Sequence, residues 1–532
     1  MPSRWKLEIS TLVSLVAISR FAFRSHYLYD LDSVNFALAM ERFDPRVHQP
    51  HPPGYFLYVC LGRLLNVVVQ DANLTLVILS IVASCGVVLL IYKTALDWFG
   101  VTEARFASLL FLFSPLAWFH GTVALTYSVE AFFSALLGYL CWRVYCGNVG
   151  LIIPVGVILG ISAGVRPSSL FFLGPLYLFS MRDASLSRKL IGISALVVTL
   201  AAWLVPMISA SGGFSAYFGA LVSLWRLAPS RNTVFNSSPA TSIARACTIA
   251  FIYLMSFGPA SLVLLRAPGR GNPAVRGKSL FTIVWLAPAL SFFTFIFLQF
   301  VNSGYLLLLV APVCIWLGYW ASEWYRKSTW RKPLKLAAIA VCALVNILIF
   351  LQSPFYCSYR SVRRFEVQLD HIREALPQVG AREDTLIIGF DSHFLGYRHA
   401  GYYLPNYLTI QYPEVKLAEG TRAFALQDHN TRLLARLPLA SYSRFILFPL
   451  PSGEAYGEYL EDVKQLLPNK DLRIVRMGGD DFVTGPIDLL PKLFPGTAMA
   501  GVKSVYTSLH SGSPDVNNRE HPPDGVSPPN VP

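Results

Sequence analysis

Asp30 and Asp32 are the residues in this sequence best placed, by type and spacing, to do chemistry. They stand two apart in Tyr29-Asp30-Leu31-Asp32-Ser33-Val34-Asn35-Phe36, just beyond the first apolar segment. A second polar run follows, His48-Gln49-Pro50-His51-Pro52-Pro53-Gly54-Tyr55. On an extended strand two such carboxylates share a face, whereas on a helix they diverge by about 200°. The pair could hold a divalent cation, or one member could accept a proton from a hydroxyl. Asp32 could equally cap a helix that begins at Ser33.

Further candidates lie beyond this loop. Glu130, in Thr126-Tyr127-Ser128-Val129-Glu130, falls at one end of an apolar run. An ionisable group there is costly and usually faces a cavity, unless it snorkels to water. Arg166 separates two short apolar segments just before Pro167, either as a loop arginine at a helix break or as a functional cation. Arg226 and Arg231 lie in loop 209–242, where surface arginines are common. His48 and His51 with Asp44 match no zinc spacing, and no glycine-rich nucleotide loop is present. His393 and His399, near Tyr397, Tyr402 and Tyr403, read as loop packing rather than as a carbohydrate surface.

The elements that must position these residues are apolar. The chain has 532 residues, of which 54% are hydrophobic and 14% charged. Soluble domains carry about a quarter charged residues, so the class is a polytopic helical membrane protein. Apolar segments at about 7–23, 74–92, 105–119, 127–146, 151–164, 168–180, 190–208, 243–265, 279–298, 305–322 and 335–352 predict eleven crossings.

The net charge of +13 is explained by topology rather than by a nucleic-acid partner. Basic clusters occupy alternate loops: Arg4 and Lys6, Lys93 and Arg105, Arg143, Arg182 to Lys189, Arg266 to Lys278, and Arg326 to Lys335. The positive-inside bias then predicts a cytoplasmic amino terminus. It places loops 24–73 and 209–242 outside, together with the carboxy-terminal region. The first span reads as a signal anchor, because Arg20-Phe21-Ala22-Phe23-Arg24 offers no small-residue cleavage site. The eight cysteines, six of them in or beside spans, suggest no disulfide framework.

Three regions are expected: a membrane domain over 1–352, an extracytoplasmic α/β domain over 353–500, and a disordered tail over 501–532. Within loop 24–73, Ser33 to Arg42 and Tyr55 to Val69 read as interfacial helices parted by Pro50 to Pro53. In the second region Phe365 to Leu376 reads as an amphipathic helix. Thr385 to Phe390, Arg444 to Phe448 and Leu472 to Val475 read as strands, and Gly457 to Leu467 as a helix. Gly478-Gly479-Asp480-Asp481 reads as a turn. Loop 209–242 reads as polar at both ends, with an aromatic-basic middle over Leu221 to Leu227.

The arrangement resembles the membrane-integral GT-C glycosyltransferases, especially the branch with protein O-mannosyltransferases and aminoarabinose transferases. Asp32-Ser33-Val34-Asn35-Phe36-Ala37 occupies the place of that branch's Asp-Glu-x-x-Tyr-Ala-like element. His51-Pro52-Pro53-Gly54-Tyr55 occupies the place of its Lys-Pro-Pro-x-x-Tyr. Gly160 to Pro167 is similar to its Gly-Leu-Ala-x-x-x-Lys/Arg turn. Ser33 stands where the family has Glu, and His51 where it has Lys. The likeness is closest over the first 200 or so residues.

The resemblance implies a GT-C fold and inverting transfer of one sugar from a polyprenyl-phosphate donor at the outer face. The acceptor would be a glycan, lipid or protein, within envelope or protein glycosylation. It singles out Asp32 as general base, with Asp30 in reserve, and His51, Tyr55, Glu130, Arg166, Arg226 and Arg231 as substrate-binding residues. No cofactor is required by this chemistry, although Asp30 and Asp32 could share a divalent cation. A transporter or flippase of lipid-linked glycans is the competing class. Transporters show inverted repeats and midplane polar groups; here the ionisable residues gather at span ends, which favours an enzyme.

Overall fold

The computed structural model describes residues 2–227, 233–265, 273–298, 302–353, 357–389, 393–411, 415–416, 422–423, 441–448, 472–477 and 480–489. Helices dominate up to residue 379: α1 (Pro2–Ala22), α2 (Leu31–Glu41), α3 (Phe56–Val69), α4 (Ala72–Trp98), α5 (Val101–Leu112), α6 (Pro115–His120), α7 (Tyr127–Tyr145), α8 (Ile152–Val165), α9 (Ser168–Ser180), α10 (Leu186–Ala210), α11 (Phe214–Leu227), α12 (Pro239–Phe257), α13 (Pro273–Phe295), α14 (Val310–Lys327), α15 (Lys332–Gln352) and α16 (Tyr359–Val379). One short helix, α17 (Tyr397–Tyr403), lies among the strands β1 (Thr385–Gly389), β2 (Leu408–Gln411), β3 (Val415–Lys416), β4 (Arg422–Ala423), β5 (Arg444–Leu447), β6 (Arg473–Met477) and β7 (Asp480–Pro486).

Among the described residues, six helical stretches are long and apolar enough to cross a bilayer: Ala72–Trp98, Leu186–Ala210, Pro239–Leu262, Val275–Phe295, Ser303–Lys327 and Lys332–Gln352. At about 1.5 Å per residue, the 27 residues of α4 outspan a hydrocarbon core about 30 Å thick. Leu190, Val198 and Val205 of α10 and Leu334, Val341 and Leu348 of α15 are exposed. In water such faces would drive aggregation; against acyl chains they are in their own solvent.

Every predicted apolar segment falls on helix, but not always as one crossing. The segment expected at 105–119 is two helices, broken at Phe113-Ser114. Pro115 cannot donate to the preceding turn, and the Ser114 side chain instead accepts from Ala117 N. The carbonyls orphaned at the end of α5 are met by the buried Arg20 of α1, which donates to Leu112 O at 3.0 Å. α8 and α9, of 14 and 13 residues, are each shorter than the roughly 20 residues that span a bilayer. They part at Arg166, which is extended (φ −149°) because it precedes Pro167.

The loop after α1 holds both predicted interfacial helices, as α2 and α3. Loop 209–242 is more ordered than its polar ends suggest, since α11 runs from Phe214 to Leu227.

A five-stranded mixed sheet follows the last long apolar helix, in the order β2-β1-β5-β7-β6. β1 pairs parallel with β2 and β5, and β7 pairs antiparallel with β5 and β6. Leu386, Ile387 and Ile388 of β1 are fully buried, as an apolar run in a central strand requires. The predicted helix and three predicted strands are present. Asp480 and Asp481 belong to β7, where they pair with Met477 and Arg476, and Gly478 and Gly479 of the predicted turn lie outside the described residues. The helix expected over Gly457 to Leu467 and the tail from 501 lie outside the described residues.

Candidate active site

The acidic turn is built around the start of α2. Asp30 is extended (φ −107°) and caps the helix, its Oδ1 accepting from Asp32 N at 2.8 Å. Asp30, not Asp32, is therefore the cap, and the two carboxylates have separate tasks. Asp30 is buried, with a side chain 8% exposed, whereas 23% of the Asp32 side chain faces outward. Burial first, and Asp32 second, push the Asp30 carboxyl up to about 7. Burial is the largest influence on Asp32 and works against its charge, but His51, His393 and Arg166 together hold Asp32 below the usual carboxylate range.

His51 joins the acidic turn to the next element. Its Nδ1 lies 3.1 Å from Asp32 Oδ1 and its Nε2 lies 2.9 Å from Tyr55 Oη. One ring can thus contact a carboxylate and a phenol at once, which fixes its orientation. The turn between them closes by Gly54 N donating to His51 O at 3.1 Å. Gly54 has φ +108°, and a Cβ there would stand 2.8 Å from Met207 Sδ, so only glycine fits. Tyr55 then opens α3 from the left-handed region (φ 45°). Burial pushes its phenol well up, against the pull of Arg166.

The basic half lies between α7, α8 and the turn at Ser303–Leu309. Arg166 Nε is 3.1 Å from Glu130 Oε2, and its Nη1 donates to Thr126 Oγ1 at 3.0 Å. Ser168 and Ser169 at the start of α9 donate to Glu130 Oε1 at 3.2 and 3.4 Å. Glu130 is 2% exposed, so it does not snorkel; it is a buried, hydrogen-bonded partner. The guanidinium lies over three rings: Tyr127 at 4.5 Å, Tyr305 at 5.0 Å and Tyr55 at 5.8 Å. Aromatic faces and one carboxylate keep this buried cation charged. Tyr55 touches both halves, so Asp32, His51, Tyr55, Arg166 and Glu130 form one continuous chain of contacts.

The structure thus brings together Asp30, Asp32, His51, Tyr55, Glu130 and Arg166. Of the other predicted residues, Arg226 lies on α11 with its side chain outside the described residues, and Arg231 lies outside them altogether. Asp44 is occupied by Arg46, at 2.8 Å, and by Arg42, at 3.6 Å. Among the described residues no group of three or more His, Cys, Asp or Glu could hold a metal ion. All eight cysteines are free.

Sequence reasoning missed several neighbours. Thr126 and Tyr127 stand in the same stretch as Glu130 and could have been read with it. Tyr305 carries no local signal, since only the folded packing of 303–309 against α7 brings it to Arg166. His393 is the larger surprise. Its carbonyl accepts from Leu31 N at 2.8 Å, and its ring nitrogen lies 4.0 Å from Asp30 Oδ2. His399 and Tyr397 are buried, as the packing reading expects, but on α17 rather than in a loop.

This architecture is shared with solved structures. ArnT from Cupriavidus metallidurans in the apo state superposes with a TM-score of 0.57 at 13% identity. ArnT bound to undecaprenyl phosphate superposes with a TM-score of 0.54 at 14% identity. Each match covers 94% of this chain and 100% of the other. The chain therefore shares the fold of ArnT, the GT-C fold. Within it, residues 46–189 match the family model described as the N-terminal domain of protein O-mannosyl-transferase TMEM260. That match includes His51, Tyr55, Glu130 and Arg166 and begins after Asp32. No curated protein matches the chain.

Proposed function

We propose that the protein is a membrane glycosyltransferase that moves a single sugar from a polyprenyl-phosphate donor to an acceptor. One observation carries this reading: an outward-facing carboxylate and a buried guanidinium sit at the two ends of one contact chain through His51 and Tyr55. The first suits proton removal and the second suits a phosphate.

Asp32 accepts the proton of the acceptor hydroxyl as that oxygen attacks the anomeric carbon. The carbon–oxygen bond to phosphate breaks on the opposite face, its electron pair leaving with the phosphate, so the configuration inverts. Arg166 uses Nε and Nη1 on protein partners, and among the described residues Nη2 has none. It is the group for a phosphate oxygen, where negative charge grows in the transition state. His51 holds Asp32 ionised and oriented, and Tyr55 remains a neutral phenol able to donate.

The basic loops and the exposed apolar faces of α10 and α15 support a multi-pass protein. In this reading its amino terminus is cytoplasmic, while loop 24–73 and the sheet domain are extracytoplasmic. The undecaprenyl phosphate named with the ArnT structure supports a lipid-phosphate donor, and the O-mannosyl-transferase family model supports a hydroxyl acceptor on protein. The test is transfer by the purified protein from polyprenyl-phosphate hexose or pentose to a panel of hydroxyl acceptors. The expected product has inverted anomeric configuration. Retained configuration, or transport of the intact lipid without transfer, contradicts the proposal.

A further inference from the structure

Three contacts from one short segment of the sheet domain grip both arms of the acidic loop. Tyr403 Oη accepts from Leu28 N at 2.7 Å, just before Asp30. His393 O accepts from Leu31 N at 2.8 Å, between Asp30 and Asp32. Arg398 Nη2 donates to Val47 O at 2.7 Å, on the approach to His51. Arg398 is 1% exposed, and its Nε is held by Tyr397 Oη at 2.9 Å.

Neither end of this grip is loose. Asp44 and Gln49 exchange two backbone hydrogen bonds, Asp44 N to Gln49 O at 2.6 Å and Gln49 N to Asp44 O at 3.0 Å. The turn holding Val47 therefore moves as a unit, and His51 follows two residues beyond it. On the other side α17 is pressed onto β1, where a Cβ on Gly389 would stand 2.6 Å from Tyr397 Cα. The sheet thus fixes α17, and α17 fixes the loop.

We propose that the segment His393 to Tyr403 sets the spacing between Asp32 and His51, with Arg398 as the principal positioning residue. The sheet domain is then part of the transfer machinery rather than an appended binding module. This rests on the glycosyl-transfer reading for its consequence, but not for its physical content. A buried guanidinium on a carbonyl contributes through geometry, and misplacing a reacting group by about 1 Å can cost about 100-fold in rate.

The test compares wild type, Arg398→Met, Arg398→Lys and Tyr403→Phe in the full-length protein. Backbone amide exchange is measured over residues 28–55 and over α4. We expect Arg398→Met to speed exchange at 44–51 by about tenfold or more with α4 unchanged, as local opening predicts. Turnover with a polyprenyl-phosphate sugar should fall by about tenfold or more while the donor KM stays within about twofold. Arg398→Lys, which keeps a donor, should recover part of both. Unchanged exchange in Arg398→Met overturns the proposal, as does faster exchange with undiminished turnover. If Arg398→Met does not fold, Tyr403→Phe decides by faster or unchanged exchange at 28–34. If wild type transfers no sugar, the functional reading fails, while the exchange data still decide whether this segment holds the loop.

Discussion

The two halves of the site solve opposite electrostatic problems. The acidic half, Asp30 and Asp32, lies at the start of α2, keeps one carboxylate partly open to water, and drives the two groups' proton affinities apart. The basic half, Arg166 and Glu130, is buried among helices and is pre-paired, with aromatic faces on the cation. An open carboxylate can exchange a proton with solvent after each turnover. A buried guanidinium held by packing can meet a phosphate with little reorganisation. In the proposed function this difference separates proton handling from anion binding in space, with His51 and Tyr55 as the link between them.

Breaking the buried half should have the largest effect. Arg166→Met leaves Glu130 buried without its cation, and the loss of stability should be about 3–5 kcal/mol, read by thermal or denaturant unfolding in detergent. Arg166→Met with Glu130→Gln should recover much of that stability without recovering activity. Next comes the bridge. His51→Ala should lower turnover by about 100-fold, the scale of losing one pre-organised donor, while His51→Lys should retain much more activity. Equal activity of the Ala and Lys variants would show that His51 acts only as a turn former.

A smaller effect separates Asp30 from Asp32. The Asp30 carboxyl is pushed up to about 7, so the folded protein holds that proton more tightly than the unfolded chain. Its contribution to stability is complete below the ordinary carboxylate pKa and is lost as pH rises through about 7. The melting temperature should fall by a few degrees over that window, and Asp30→Asn should flatten the dependence. The smallest effect concerns the loop's outer support. Tyr217 Oη donates to Pro53 O at 3.0 Å, and Tyr217→Phe should cost about 0.5–1.5 kcal/mol in unfolding experiments.

Much of the acidic half was legible in the sequence, because loop chemistry is local. Asp30, Asp32, His51 and the Pro-Pro-Gly turn fall within one stretch from Tyr29 to Tyr55, and the helices α2 and α3 beside them announce themselves by caps and periodicity. The basic half was legible only in part. Arg166 stood out as a lone cation before proline and Glu130 as a lone anion in an apolar run, but their pairing spans 36 positions. Tyr305 carries no sequence signal, and His393 reads from the sequence only as loop packing, since distant segments deliver both through folding. The break at Ser114 was missed because apolar composition continues through it, and Arg20, which makes the break tolerable, is remote in sequence.

The central claim is that Asp32 moves the proton while Arg166 holds the phosphate. The most direct measurement titrates a polyprenyl phosphate into Asp32→Asn and Arg166→Met beside wild type, with turnover measured on the same samples. The account predicts that Asp32→Asn binds the lipid phosphate like wild type but turns over at least about 100-fold more slowly. It predicts that folded Arg166→Met binds at least about tenfold more weakly, about 1.4 kcal/mol. Undiminished turnover in Asp32→Asn, or undiminished binding in Arg166→Met, would contradict it.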